Sequence, residues 1–148
     1  MLKIAILAQR IFPALWLGML CAIAIDAQLK FQAPGITREL GLGIGKLVFT
    51  EINRIEWILA PVVGVAVLPF TGKLPRIIYS FVALILLIQT FWLLPALIGR
   101  IDAIAAGHPP PQSSLHLTYV IFELAKMLLL LALSISLNWP AKTQNERH

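Results

Sequence analysis

The segment Leu115–Trp139, LHLTYVIFELAKMLLLLALSISLNW, constrains the fold more than any other part of the chain. It is long and apolar enough to cross a bilayer, since about 20 apolar residues suffice. Yet its first half carries His116, Tyr119, Glu123 and Lys126, spaced three, four and three residues apart. Such spacing puts them on one face of a helix. Ionisable groups inside a membrane helix are costly and face protein or water rather than lipid. The remaining segments must therefore supply neighbours for that face.

Composition agrees with lipid as the main solvent. Of 148 residues, 59% are hydrophobic and only 13% charged, against about 45–50% and about 25% in soluble domains. The length allows one domain with room for four spans. The net charge of +5 comes from positives scattered singly. With no basic run or basic amphipathic face, nucleic acid is not an expected partner, and these charges suit headgroups. The single cysteine, Cys21, excludes an internal disulfide.

Four spans are expected, over residues 4–27, 57–70, 77–98 and 115–139, giving an all-α, integral membrane four-helix bundle. In the first, Arg10, Ala14, Gly18, Ala22 and Asp26 recur every four residues. Gly18 and Ala22 make a small-xxx-small step suited to close helix packing. Arg10 and Asp26 end the stripe about 24 Å apart, each within reach of an interface. Asp26 is also placed to pair with Lys30. Ala22-Ile23-Ala24 has signal-cleavage spacing. Arg10, however, falls where the apolar core of a signal belongs, and Leu20 precedes Cys21 where a lipoprotein signal wants a small residue, so the segment reads as a retained helix.

Gln32-Ala33-Pro34-Gly35 breaks the chain, and Thr37 is placed to cap the next helix. That helix continues to about Thr71, far longer than a hydrocarbon core of about 30 Å. Its first half is amphipathic and expected to project from or lie along the interface; Trp57–Phe70 spans. Gly41 and Gly45 offer another close-packing step. Pro61 and Pro95 are expected kink sites. Residues 71–76 form a tight turn. Gly107–Ser114, with three prolines, is an exposed linker, and Ser113 or Ser114 can cap the last helix. The tail after Trp139 is polar and expected to be disordered.

Both termini then share one side, with Lys3, Arg10, Lys73, Arg76, Lys142 and Arg147. The other side carries Lys30, Arg38, Lys46, Arg54 and Arg100. The small excess favours cytoplasmic termini and a bacterial inner membrane. By depth, Asp26, Glu51, Arg54, Glu56, Arg100, His116, Glu123 and Lys126 gather in the half away from the termini. This reads as a polar pocket or network in which Lys126 pairs with Glu123, Glu51 or Glu56, and Arg54 with Glu123. Two roles are open: an ion-pair network fixing helix register, or a site for a proton, small ligand or cofactor.

Haem or copper at His116 would need a second ligand, such as Met19 or Met127, and nothing fixes one. No phosphate loop, HExxH, paired CxxC or G-x-S-x-G is present, so no catalytic or metal residue is named. Gly41-Leu42-Gly43-Ile44-Gly45 has neither the spacing nor the preceding strand of a phosphate loop. The expected role is a small structural or interaction subunit, contacting a membrane-protein partner or a second copy through the Gly18/Ala22 or Gly41/Gly45 face. The alternative is redox, haem or metal handling, with a ligand at the fourth-helix polar face.

Trp16–Pro34, followed by glycines and Lys46–Ala60, resembles the copper-resistance-D-like superfamily of small four-span membrane proteins. The similar branch, a domain of unknown function, is related to the human drug-resistance-associated transmembrane protein. The match rests on Trp16-Leu17-Gly18, on Ala33-Pro34, and on the segment from Gly45 to Phe49. The second half matches in layout: a third span, a polar loop, then a helix opening with His116. The resemblance implies the four-span fold. A porphyrinogen-oxidising branch carries a histidine in its first helix; Gln9 and Arg10 stand there in this chain, so the resemblance does not imply haem chemistry.

Overall fold

In the computed structural model the described residues are 2–29 and 32–138, and every regular element among them is helical. Helix α1 is Leu2–Leu29, α2 is Arg38–Val67, α3 is Lys73–Ala105 and α4 is Leu115–Asn138. Three of them, α1, α3 and α4, are long and apolar enough to cross a membrane. Helix α2 is not among these, because its uninterrupted apolar run begins only at Trp57. The expected Asp26–Lys30 pair and the tail beyond Asn138, with Lys142, Arg147 and His148, lie outside the described residues.

The connections follow from local chemistry. Ala33-Pro34-Gly35-Ile36 closes a turn through an Ile36 N–H to Ala33 C=O bond of 3.2 Å, with Gly35 at φ 84°. Proline followed by a positive-φ glycine is the type II pattern. Thr37 then caps α2, its hydroxyl accepting the Leu40 N–H at 3.2 Å. Helix α3 ends in a Schellman motif. Gly107 sits at φ 78°, with Gly107 N–H on Ile104 C=O and His108 N–H on Ala103 C=O. At the start of α4, Ser113 Oγ accepts the Leu115 N–H at 3.4 Å, and the Ser114 carbonyl accepts from Thr118.

Helix α2 passes through Pro61 without interruption. Pro95 behaves otherwise. Residues Gln89–Leu93 form one π turn, in which the Leu94 N–H bonds the Gln89 carbonyl. Pro95 has no N–H to offer the Phe91 carbonyl, so the regular ladder is already broken at this point.

Helix α4 packs on α1 and α3, and α2 packs on α1 and α3. The shared core comprises Trp16 and Leu20, then Ile52, Ala60, Val63 and Val67, then Tyr79, Val82 and Leu86, and finally Leu130 and Leu133. A smaller cluster joins Leu93, Leu97 and Tyr119. At Gly64 the α2 backbone meets the Tyr79 ring, whose hydroxyl donates to the Ala60 carbonyl at 2.7 Å; a Cβ at Gly64 would lie 2.5 Å from that oxygen.

The first half of α2 does not lie apart on an interface. Gly41 and Gly45 are buried, and Phe49 stacks on Tyr119 with ring centroids 5.1 Å apart. The Gly41/Gly45 step is thus turned inward. The Gly18/Ala22 step does the reverse. Arg10, Ala14, Gly18, Ala22 and Asp26 are all exposed, while Gln9, Pro13, Trp16 and Leu20 face the core. Gly18 lies two residues, about 200°, from Trp16. Many large apolar side chains, among them Val65, Phe91, Trp92 and Leu128, point outward. An apolar exterior on this scale, on helices long and apolar enough to cross a bilayer, fits an integral membrane protein.

Candidate functional site

Core positions are mostly apolar, apart from Gln9 near the start of α1 and a group of polar side chains where the four helices meet. There α1 contributes Trp16, α2 Glu56, α3 Gln89 and α4 Lys126. Lys126 lies eleven residues from one end of α4 and twelve from the other. Trp16 is fourteen and thirteen residues from the ends of α1. Gln89 is sixteen from both ends of α3. In helices that cross a membrane, these are mid-span positions, the most expensive depth for a charge.

Lys126 is the hub. Its ammonium forms an ion pair with Glu56 Oε1, approaches Glu123 Oε2 at 3.3 Å, and donates to Gln89 Oε1 at 2.7 Å. Gln89 Nε2 donates to Glu123 Oε2 at 2.7 Å, and Trp16 Nε1 donates to Glu56 Oε1 at 2.9 Å. The ammonium thus faces three oxygens, one of them through a hydrogen bond and two as ion pairs. Trp16, Gln89 and Lys126 are 0% exposed and Glu56 1%. Only Glu123, with its side chain 20% exposed, reaches the edge of the protein. Glu56 Oε2 is buried with no hydrogen-bond partner.

The π turn helps hold Gln89. Thr90, beside it, accepts from Asn53 Nδ2 at 2.8 Å and from Trp57 Nε1 at 3.0 Å. It donates in turn to the Leu86 carbonyl. This second knot fastens α2 to α3 one turn from Glu56.

Of the residues expected to act together, Glu56, Glu123 and Lys126 meet. The network lies at mid-length of the helices, not in one half. Arg54 does not reach Glu123: it pairs with Glu51 at 2.6 Å, and both side chains are exposed. The reason is angular, because Arg54 lies about 200° around α2 from Glu56 and Glu51 about 140°. Lys126 therefore meets Glu56 and not Glu51. Asp26 is exposed on the outer face of α1. Arg100 donates to the Pro111 carbonyl at 2.7 Å, and its neighbour Asp102 pairs with Lys46 at 2.5 Å. Both contacts tie helix ends or loops. His116 is exposed in the first turn of α4. Its face drifts about 80° over the ten residues to Lys126, because spacings of three, four and three run ahead of the 3.6-residue turn.

Gln89 and Trp16 were not among the expected site residues, although both carry a signal. A lone glutamine in a long apolar helix needs a buried partner, and a tryptophan far from the interface needs an acceptor for its N–H. Among the described residues, no three His, Cys, Asp or Glu side chains converge as metal ligands. Two surface cavities, of about 450 and 520 Å³, lie elsewhere: one at the α2–α3 turn beside Lys73 and Arg76, the other along Arg10, Ala14 and Gly18. Comparison with protein-family models, curated proteins and solved structures finds no match.

Proposed function

We propose that this chain is a small four-helix membrane bundle with a structural or interaction role, held in one helix register by the Glu56–Lys126–Glu123–Gln89 network. One observation carries this reading: each of the four helices places a side chain in a single cluster closed to water. A one-residue shift of α2 or α4 parts Glu56 from Lys126 and strands a charge, and a shift of α1 or α3 withdraws Trp16 or Gln89 from the cluster. Polar groups at apolar positions act in this way elsewhere, fixing register at a cost in stability.

In this reading α2 is the fourth crossing. Its apolar C-terminal part spans the far leaflet, and its buried face, Ile52 to Val67, lines the core. The outer face of α1, with Gly18 and Ala22 exposed between Arg10 and Asp26, is the surface offered to a membrane-protein partner or second copy. The termini lie in the cytoplasm and the membrane is a bacterial inner membrane. Kinship with the copper-resistance-D-like proteins belongs to the same proposal.

Topology labelling tests the four crossings. In a Cys21→Ala background, Ala33→Cys and Ser113→Cys should react with a membrane-impermeant thiol reagent from the periplasmic side. Gly72→Cys should react only from the cytoplasmic side. Labelling of Gly72→Cys from the same side as Ala33→Cys would mean that α2 does not cross.

A further inference from the structure

The buried network holds two carboxylates, Glu56 and Glu123, and one ammonium, Lys126. Fully ionised it carries one uncompensated negative charge at mid-span, where such a charge is most costly. Among the described residues, no second cation faces it. The cluster's remaining contributors are neutral: Trp16 from α1 and Gln89 from α3. Tyr119, buried on the same side of α4, could only add negative charge by ionising. Arg54 is turned outward onto Glu51, Lys46 is held by Asp102, Arg100 by Pro111, and Arg10 is exposed.

Most of the site is closed to water. Lys126, Gln89 and Trp16 have no surface accessible to water, and Glu56 has 1%. Yet one carboxylate oxygen, Glu56 Oε2, stands without a donor although its residue is almost completely buried. A proton fits such a place; a hydrated cation does not. Glu123, bonded to Lys126 and Gln89 and alone partly exposed, is the edge through which a proton can enter or leave.

We infer that the Glu56–Glu123 carboxylate pair around Lys126 is a proton-binding site that holds one exchangeable proton at neutral pH. The inference rests on the mid-membrane placement proposed above. Uptake moves one proton from water to a carboxylate oxygen, giving one carboxylic acid, one carboxylate and one ammonium with net charge zero. The proton belongs to the coupled pair rather than to either acid.

Infrared spectroscopy of the full chain in lipid nanodiscs, with exchange into deuterated water, tests this directly. Wild type should show one deuterium-sensitive carboxylic-acid carbonyl band at neutral pH. Either Glu56→Gln or Glu123→Gln leaves one acid for one ammonium, so each should abolish the band. Lys126→Met leaves two acids without a cation and should double it. The other acids among the described residues, Asp26, Glu39, Glu51 and Asp102, are exposed, so a band removed by these substitutions is assigned to the site. No band in wild type, or a band that survives both glutamine substitutions, overturns the inference. Helicity and thermal melting of the same samples separate that failure from loss of the bundle, and Glu123→Gln, at the protein's edge, provides the variant least dependent on core packing.

Discussion

Lys126 on α4 and Glu56 on α2, 70 residues apart in sequence, form an ion pair whose side chains are 0% and 1% exposed. A pair this deep gains Coulomb energy from the low dielectric but loses two hydration shells. Its net contribution is therefore small, while removing one partner is expensive. That asymmetry is why the pair specifies an arrangement more than it stabilises one. It also separates the network from the other ion pairs of the chain.

The Glu51–Arg54 pair supplies the contrast. With side chains 59% and 70% exposed, it links two residues one turn apart on the outer face of α2 and not two helices.

Gly64 is a point of close approach between α2 and Tyr79 of α3. Because a Cβ there would lie 2.5 Å from the Tyr79 hydroxyl, Gly64→Ala must displace the ring and its bond to the Ala60 carbonyl. A loss of about 1–3 kcal/mol is expected from overpacking. Combining it with Tyr79→Phe should cost less than the two changes summed, since both act on one contact.

Trp16→Phe keeps the ring but removes the N–H that donates to Glu56 Oε1 at 2.9 Å. Glu56 Oε1 then relies on Lys126 alone, and Oε2 still has no donor. A loss of about 1–3 kcal/mol follows from a buried charged acceptor losing a donor, and it should shrink markedly in a Glu56→Leu background.

Thr37→Ala removes the side-chain acceptor for the Leu40 N–H and should cost about 1 kcal/mol. Hydrogen exchange should rise in the first turn of α2 and stay unchanged around Glu56.

The apolar blocks made the all-helical character legible, with three helices long and apolar enough to cross a membrane. The Thr37 cap, the Ala33–Gly35 break and the 107–114 linker were equally plain, because glycine, proline and hydroxyl side chains act locally. Glu56, Glu123 and Lys126 could be named because ionisable residues in apolar helices have few places to go. Which acid Lys126 chooses was not legible from depth alone, since Glu51 and Glu56 are close in height and differ only in angle around α2. Nor was the direction of α1 legible. Its small-residue stripe and its Trp16 stripe are both regular, and only the acceptor waiting on α2 decides which turns inward. The π turn at Gln89–Leu93 was signalled by Pro95 only as an irregularity.

The most direct test of the network is the stability of Lys126→Met beside that of Lys126→Met/Glu56→Gln/Glu123→Gln, unfolded reversibly in the same detergent. Lys126→Met alone should lose about 3–5 kcal/mol, because it strands buried acids. Removing both carboxylates as well should recover most of that loss. If Lys126→Met is tolerated within about 0.5 kcal/mol, or if the triple variant is no more stable than the single one, these buried charges do not hold the helices together.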